Sequence, residues 1–118
     1  MTSHIEGQCA CGAVRYDGTG SASVALCYCE TCRRQSGGAG IAWGLVDKKR
    51  LKISGELVTW RSSDHAVRQH CSVCGSILFL REDGRDDVEY AAGSVLNQDD
   101  LKPGKAIYVH RRPGWSLS

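Results

Sequence analysis

Runs of β-branched and aromatic residues recur along the chain between turn-forming residues, and apolar residues rarely repeat with a helical period. Short runs of this kind, bounded by glycine, proline, serine and aspartate, are typical of strands. One short segment, 30–35, is the best candidate for a helix, and residues 98–101 are predicted to form a single helical turn. The predicted strands are 13–16, 24–27, 41–46, 51–54, 57–62, 66–71, 77–81, 88–92 and 106–110.

The breaks between these strands contain glycine and lie at 18–20, 37–38, 54–55, 83–84 and 103–104. Asp83-Gly84 is typical of a hairpin turn between the strands on either side of it. No linker, low-complexity tract or internal repeat interrupts the pattern. We therefore predict an all-β fold, a single small domain over residues 1–118, with its cysteines at strand ends and turns.

The composition leaves this domain short of large apolar side chains, with one Phe and one Met but seven cysteines. The tryptophans, Trp43, Trp60 and Trp115, are expected in the core or in a pocket wall. Domains this small are often stabilised by metals or disulfides. The odd number of cysteines and their close spacing argue against disulfides, and the first residues lack the basic start and apolar run of a signal peptide. We therefore expect metal-binding thiols in a reducing compartment, the cytoplasm.

The charge pattern argues against a polyanionic partner. A formal net charge of +2 is too small to favour nucleic acid or an anionic membrane. No stretch approaches the roughly 20 apolar residues of a membrane-spanning helix. The short basic runs at 33–34, 48–50 and 111–112 are typical of solvated surface, although they could form one small anion-binding pocket.

Four cysteines form two pairs in which the second cysteine precedes a glycine, at 9–12 (CACG) and 71–75 (CSVCG). This pattern is typical of zinc knuckles, because glycine reaches the positive φ that lets the backbone wrap a metal and aim N–H groups at the sulfurs. Two knuckles brought together by the fold would form a closed tetrahedral site with four sulfurs. The alternative is two redox or buried thiol pairs, although a C-x-x-C oxidoreductase would normally show a βαβ pattern.

The other three cysteines, Cys27, Cys29 and Cys32, follow one another without a trailing glycine. Three thiolates leave the fourth position of a tetrahedral metal open to water or a substrate thiol, which is a feature of catalytic rather than structural zinc. A histidine could instead close this site and make it structural. The candidates for that role are His4, His65, His70 and His110.

With these motifs the chain resembles the glutathione-dependent formaldehyde-activating enzyme family, also known as the centromere protein V family. All seven cysteines fall in register with the family pattern, and the similarity spans a core of about residues 7–115. Many members carry histidine where this chain has Leu26 and Tyr28, and phenylalanine where it has His70. The segments that carry the resemblance are 7–16 (GQCACGAVRY), 27–37 (CYCETCRRQSG), 71–76 (CSVCGS), 91–96 (AAGSVL) and 113–115 (PGW).

The resemblance implies a β-tent fold of packed antiparallel sheets with two zinc ions. Carried over residue by residue, the structural zinc is held by Cys9, Cys11, Cys71 and Cys74, and the active-site zinc by Cys27, Cys29 and Cys32. The family's activity is the addition of glutathione to formaldehyde, a carbon–sulfur lyase reaction written in reverse. Arg33 and Arg34 are then candidates for stabilising the bound thiolate and pairing with the carboxylates of glutathione.

Two functions from different classes are compatible with these features. The first is a zinc-dependent lyase whose partner is a small thiol, with glutathione expected. The second is a non-catalytic zinc module that carries a thiol or binds a protein. A methionine sulfoxide reductase would need a nucleophilic cysteine late in the chain, and none follows Cys74. No feature of the sequence indicates the oligomeric state.

Overall fold

The computed structural model describes residues 2–116, which form ten strands, one α-helix and four 3₁₀ turns. The strands are β1 (Ser3–Gln8), β2 (Arg15–Gly20), β3 (Ser23–Cys27), β4 (Ile41–Asp47), β5 (Lys52–Ser54), β6 (Leu57–Arg61), β7 (Ala66–Cys71), β8 (Ile77–Glu82), β9 (Asp87–Ala91) and β10 (Lys102–Ile107). Helix α1 is Glu30–Ser36, and the 3₁₀ turns are Lys48–Arg50, Ala92–Ser94, Gln98–Asp100 and Val109–Arg111. The predicted all-β fold class is therefore confirmed.

Three strands differ from the sequence prediction, and long-range pairing explains each difference. The pattern misses β1 because only Ile5 and Gly7 of this polar segment are buried. Strand β2 continues through the predicted break at 18–20 because it pairs with β1 along its whole length. Strand β10 begins before the predicted 106–110 because it pairs with β3, starting opposite Ser23.

The strands form one branched, hydrogen-bonded network in the order β1-β2-β4-β9-β8-β7-β6. Strand β4 is one branch point of this network, since one of its edges pairs with β9 while the other pairs with β3 and, at Val46, with β2. Strand β5 adds to β2, and β10 adds to β3. The β10–β3 pair is parallel, whereas the other strand pairs within residues 2–116 are antiparallel.

The network curves so that strands distant in this order pack against each other. Tyr16 on β2 and Phe79 on β8 meet edge to face, with ring centroids 4.9 Å apart. Burying such side chains between layers is the main favourable term for folding. The main core consists of Ile5, Cys9, Val14, Tyr16, Val46, Cys71, Leu78, Phe79, Val88, Tyr90 and Val95. A second buried cluster consists of Cys27, Cys32, Ile41, Trp43 and Ala91.

Helix α1 matches the predicted segment 30–35 with one more residue at its end. The Cys29 side chain caps its start by accepting a hydrogen bond from the Cys32 N–H, and Gly37 ends it with a left-handed φ of 76°. Within residues 2–116, neither α1 nor any other helical segment has the length and apolar character needed to cross a membrane.

Candidate metal centres

The four-cysteine cluster lies where the turn after β1 meets the turn after β7. Cys9 and Cys71 are buried, whereas Cys11 and Cys74 are exposed on the two turns. All four sulfurs lie within 4.8 Å of one another. Cys11 and Cys71 are 60 residues apart in the chain. The fold therefore brings together two cysteine pairs that are distant in sequence.

Both turns of the four-cysteine cluster have the knuckle geometry expected from their glycines. Gly12 and Gly75 adopt positive φ of 80° and 78°, which residues with a side chain rarely reach. The turns aim backbone N–H groups at the sulfurs: the Val14 N–H donates to Cys9 Sγ at 3.2 Å, and the Val73 N–H donates to Cys71 Sγ at 3.3 Å. Such donors stabilise sulfur in its thiolate form.

The spacing of these sulfurs fits a tetrahedral metal. With metal–sulfur bonds of about 2.3 Å, the sulfurs of such a site lie about 3.8 Å apart. The distance from Cys9 Sγ to Cys11 Sγ is 3.6 Å, and that from Cys11 Sγ to Cys71 Sγ is 3.9 Å. Four soft sulfur donors at these distances could hold a metal ion, and zinc is consistent with the donor set.

The three-cysteine cluster is built around the start of α1. Cys27 is the last residue of β3, Cys29 is the N-cap of α1, and Cys32 lies in the first turn of the helix. Their sulfurs also lie within 4.8 Å of one another. Cys29 Sγ has two roles: it belongs to this cluster, and it caps α1 by accepting from the Cys32 N–H at 3.3 Å. This cluster too could hold a metal ion.

The Cys32 sulfur is surrounded by N–H donors from two other strands. Trp43 Nε1 on β4 lies 3.5 Å from Cys32 Sγ, and both Nη atoms of Arg68 on β7 lie 3.5 Å from the same atom. The guanidinium also lies over the Trp43 ring, 5.6 Å from its centroid. The sulfur of Cys32 is therefore in contact with an indole N–H and with one guanidinium cation.

Arg68 is a site residue that the cysteine motifs do not reveal. Its side chain is 6% exposed, and its Nη1 also donates to Gln35 Oε1 on α1 at 3.0 Å. The sequence does contain a signal, because the predicted strand 66–71 places Arg68 on the same face as Ala66, which faces the interior. A charged residue at an inward-facing strand position requires a buried partner.

Cys27, Cys29 and Cys32 form a cluster that could hold a metal ion and has no fourth protein ligand in the described part of the chain. All four histidines lie in that part, yet neither they nor any carboxylate joins the three sulfurs. His4, His65 and His110 are exposed, and His70 is half-buried on β7. The alternative of a site closed by histidine therefore has no support in this fold.

Within each cluster, the pKa values of some thiols are raised and those of others are lowered. The Ser76 hydroxyl, 3.1 Å from Cys74 Sγ, is the main reason that the pKa of Cys74 falls to about 5. Burial raises the pKa of Cys27 to about 12. Burial also acts to raise the pKa of Cys29, but hydrogen bonding with the Cys32 N–H and the neighbouring thiols lowers it overall. Neighbouring thiolates repel one another, and a bound cation would remove that repulsion.

The two arginines predicted to bind glutathione differ in their surroundings. Arg34 is 72% exposed and lies 3.9 Å from Glu30 one turn earlier in α1. Arg33 is half-buried, and its side chain has no hydrogen bond or ion pair within residues 2–116.

The three tryptophans also differ in their surroundings. Trp43 is buried as expected. The prediction of a core position is wrong for Trp60 and Trp115, which are 47% and 62% exposed.

A cavity of about 720 Å³ opens between the two clusters. Its wall includes Cys9 and Ser76 on one side, and on the other Ile41 and Ala91, which also pack around the three-cysteine cluster. This volume lies within the roughly 300–1,000 Å³ of small-molecule sites. No Asp, Glu, Lys, Arg or His side chain is among the residues that line it. The cavity therefore suits the uncharged part of a small ligand.

Comparisons with known proteins point in the same direction. A family model described as glutathione-dependent formaldehyde-activating enzyme matches residues 4–111. A protein of Halomonas elongata that bears the provisional name of glutathione-dependent formaldehyde-activating enzyme is 27% identical over 123 residues, covering 94% of this chain and 78% of that protein. The crystal structure of a Rhodobacter sphaeroides protein matches with a TM-score of 0.69 and 20% identity, covering 86% of this chain and 98% of that one. The last comparison supports the fold alone.

Proposed function

Because the chain belongs to the glutathione-dependent formaldehyde-activating enzyme family, we propose that it is a zinc-dependent carbon–sulfur lyase. Its reaction is the addition of a small thiol, such as glutathione, to formaldehyde or a similar small electrophile. The observation that carries this proposal is the three-cysteine cluster, which has no fourth protein ligand in the described residues. A metal held there keeps one coordination position for the substrate.

The chemistry requires a thiol that reacts as a thiolate. Zinc, when bound by Cys27, Cys29 and Cys32, would supply a soft Lewis acid that lowers the pKa of the substrate thiol. The thiolate sulfur forms a bond to the carbonyl carbon, the π pair of the carbonyl moves to its oxygen, and that oxygen takes up the proton that the thiol released. No oxidant or reductant is needed. The neighbouring cavity accepts the uncharged part of the thiol, and Arg33 is the candidate for one of its carboxylates.

We assign the four-cysteine cluster a structural role within the same proposal. Four sulfurs fill a tetrahedral coordination shell, so a zinc held by Cys9, Cys11, Cys71 and Cys74 has no position for substrate. The proposal treats residues 1–118 as one domain of this family. It places the protein in the cytoplasm, where reducing conditions keep thiols available for metal.

The first test is Cys29→Ser, which removes one thiolate but keeps an oxygen that can cap α1. We expect native mass spectrometry to find two zinc ions in the wild type, one per cluster, and one in the variant. Glutathione should bind to the wild type but not to Cys29→Ser, and the wild type should form the formaldehyde adduct faster than the spontaneous reaction does. Thr31→Ala, a change of a non-thiol residue in the same segment, serves as the matched control and should behave like the wild type.

The same experiment separates the lyase from a thiol carrier. Suppose the wild type binds glutathione at the zinc of the three-cysteine cluster but forms the formaldehyde adduct no faster than the spontaneous reaction. That result would support the carrier and contradict the lyase. A single zinc per folded wild-type chain would contradict both, because the open metal position would not exist.

A further inference from the structure

We infer that Arg68 is the counter-cation of the three-cysteine centre, and that it offsets the negative charge of the bound metal so that a fourth thiolate can bind. This inference rests on the proposed function for the identity of the metal and the thiol. Arg68 lies on β7, outside every cysteine motif, and contacts a ligand sulfur rather than substrate. It is therefore a positioning residue that acts through Cys32.

The guanidinium is fixed in place by contacts on three sides. Both Nη atoms lie 3.5 Å from Cys32 Sγ, so the planar fork straddles one sulfur. Gln35 Oε1 accepts from Nη1 at 3.0 Å, and the Trp43 ring lies 5.6 Å away beneath the cation. A lysine could supply the charge but not this fork, because its ammonium is a point charge on a flexible stem.

Arg68 forms no ion pair with a carboxylate in the described part of the chain. The ion pairs there are formed by other arginines, namely Arg34, Arg50, Arg61, Arg85 and Arg111. Glu89 on β9 is near enough for the charge of Arg68 to lower its pKa, but no ion pair or hydrogen bond joins the two side chains among the described residues. A buried guanidinium without an anion is strongly unfavourable. The three thiolates are the anion that the fold provides.

Charge counting explains why this cation matters for a thiol substrate. A divalent metal with three thiolates has a net charge of −1, and a fourth thiolate would make it −2. With Arg68 the same two states become neutral and −1, and charge differences of this kind are large in a buried site. The four-cysteine cluster has no such cation, because its described hydrogen bonds come from backbone N–H groups, thiols and the Ser76 hydroxyl. The arginine therefore distinguishes the cluster that has room for a further thiolate.

The test compares Arg68→Gln, which removes the charge, with Arg68→Lys, which keeps it. The matched control is Arg81→Gln: Arg81 is also partly buried and also donates to a glutamine, Gln69 at 2.7 Å, but lies on the other face of the sheet. Zinc affinity of each cluster is measured by competition with a chromophoric chelator. Glutathione affinity is measured from the thiolate-to-metal charge-transfer absorption of the Co²⁺-loaded protein.

We expect Arg68→Gln to weaken zinc at the three-cysteine centre about tenfold or more, and glutathione binding by a similar factor, as for one charge removed from a buried pair. Arg68→Lys should lose less affinity than Arg68→Gln, because it keeps the charge, but should not reach the wild type, because it cannot reproduce the fork. The four-cysteine cluster should keep its zinc affinity in every variant. Arg81→Gln should match the wild type in both measurements.

The outcomes separate this inference from the proposed function. Unchanged zinc and glutathione affinities in Arg68→Gln would overturn the inference and leave the proposed function intact. If the zinc of the three-cysteine cluster depends on Arg68 but binds no glutathione, the counter-cation role would stand. The proposed function, and with it the role of Arg68 in admitting a fourth thiolate, would be overturned. If Arg68→Gln misfolds and loses the zinc of the four-cysteine cluster, Gln35→Ala is tested instead. It removes the side-chain oxygen that accepts from the Arg68 guanidinium. That variant should bind zinc at the three-cysteine cluster about threefold more weakly than the wild type. An unchanged affinity would overturn the inference.

Discussion

The stability of this fold should depend on pH through one buried side chain, that of Glu89. It lies on β9 between Leu45 and Leu80 of the neighbouring strands, and its Oε2 is buried without a hydrogen-bond partner in the described residues. Burial is the main reason that its pKa rises to about 7, and the nearby Glu82 adds to the rise. The folded state therefore binds a proton that the unfolded state has already released. Its contribution to stability is complete below about pH 4 and is lost as the pH rises through about 7.

We predict that Glu89→Gln removes this dependence. A protonated carboxyl and an amide are both neutral, so the two proteins should have similar unfolding free energies near pH 5. Towards about pH 8 the wild type alone acquires a buried charge, and its unfolding free energy should fall relative to that of the variant. Urea denaturation in excess zinc at both pH values measures the difference. Glu56→Gln, at an exposed site, is the control, and a pH-independent difference between wild type and Glu89→Gln would contradict the prediction.

At the scale of elements, α1 matters because a helix of seven residues is too short to be stable in isolation. Contacts at both ends hold it. Cys29 caps its start, the Gly37 N–H donates to the Arg33 carbonyl at 2.9 Å, and Glu30 pairs with Arg111 at 2.6 Å. Since α1 positions two cysteines of the candidate active site, its stability and the stability of that metal site should be coupled.

We predict that Gly37→Ala lowers the unfolding free energy by about 1 kcal/mol, because alanine does not tolerate a φ of 76°. The space around a new Cβ is open at Gly37, so the cost is conformational rather than steric. Gly93→Ala is the matched control, since Gly93 also has open space but no positive φ. Denaturant unfolding measures both variants, and zinc release from the three-cysteine cluster should be faster in Gly37→Ala alone. Equal stabilities of the two variants would refute the backbone explanation.

For the molecule as a whole, the four-cysteine cluster joins strands that are far apart in the network. The turn carrying Cys9 follows β1 at one end of the strand order, whereas Cys71 is the last residue of β7 near the other end. A metal held there would cross-link the turn after β1 to the end of β7. In a chain of 118 residues with one phenylalanine, such a cross-link is a large part of the total stability.

We predict that Cys71→Ser, or removal of zinc by a strong chelator, unfolds the protein. The loss of a structural zinc is comparable with the roughly 5–15 kcal/mol that keeps a typical domain folded. Cys32→Ser is the control, because it removes a ligand of the other cluster and should leave a folded protein with one zinc. Circular dichroism together with metal analysis checks both variants. A folded Cys71→Ser protein that retains both metals would contradict the assignment of roles.

The features that sequence alone determined are local ones. The spacing of cysteines and their glycines predicts the knuckle turns, and runs of β-branched and aromatic residues between turn signals predict most strands. Both signals depend on neighbours within a few residues. The division of seven cysteines into four and three follows from the same spacing, and the structure brings the sulfurs together in these two groups. Helix α1 is also readable, since its capping residues adjoin it.

Tertiary structure alone decided what meets across the sheet. Strand β1 forms because β2 lies beside it, and β10 is placed by a parallel pairing with β3, which its own residues do not indicate. The contact between Arg68 and Cys32 joins residues on β7 and α1 that are 36 positions apart. Local sequence fixes which side of a strand a residue faces, whereas the residue it meets there depends on how the branched sheet curves. For this reason the cysteines could be identified from the chain, and the arginine beside them only from the fold.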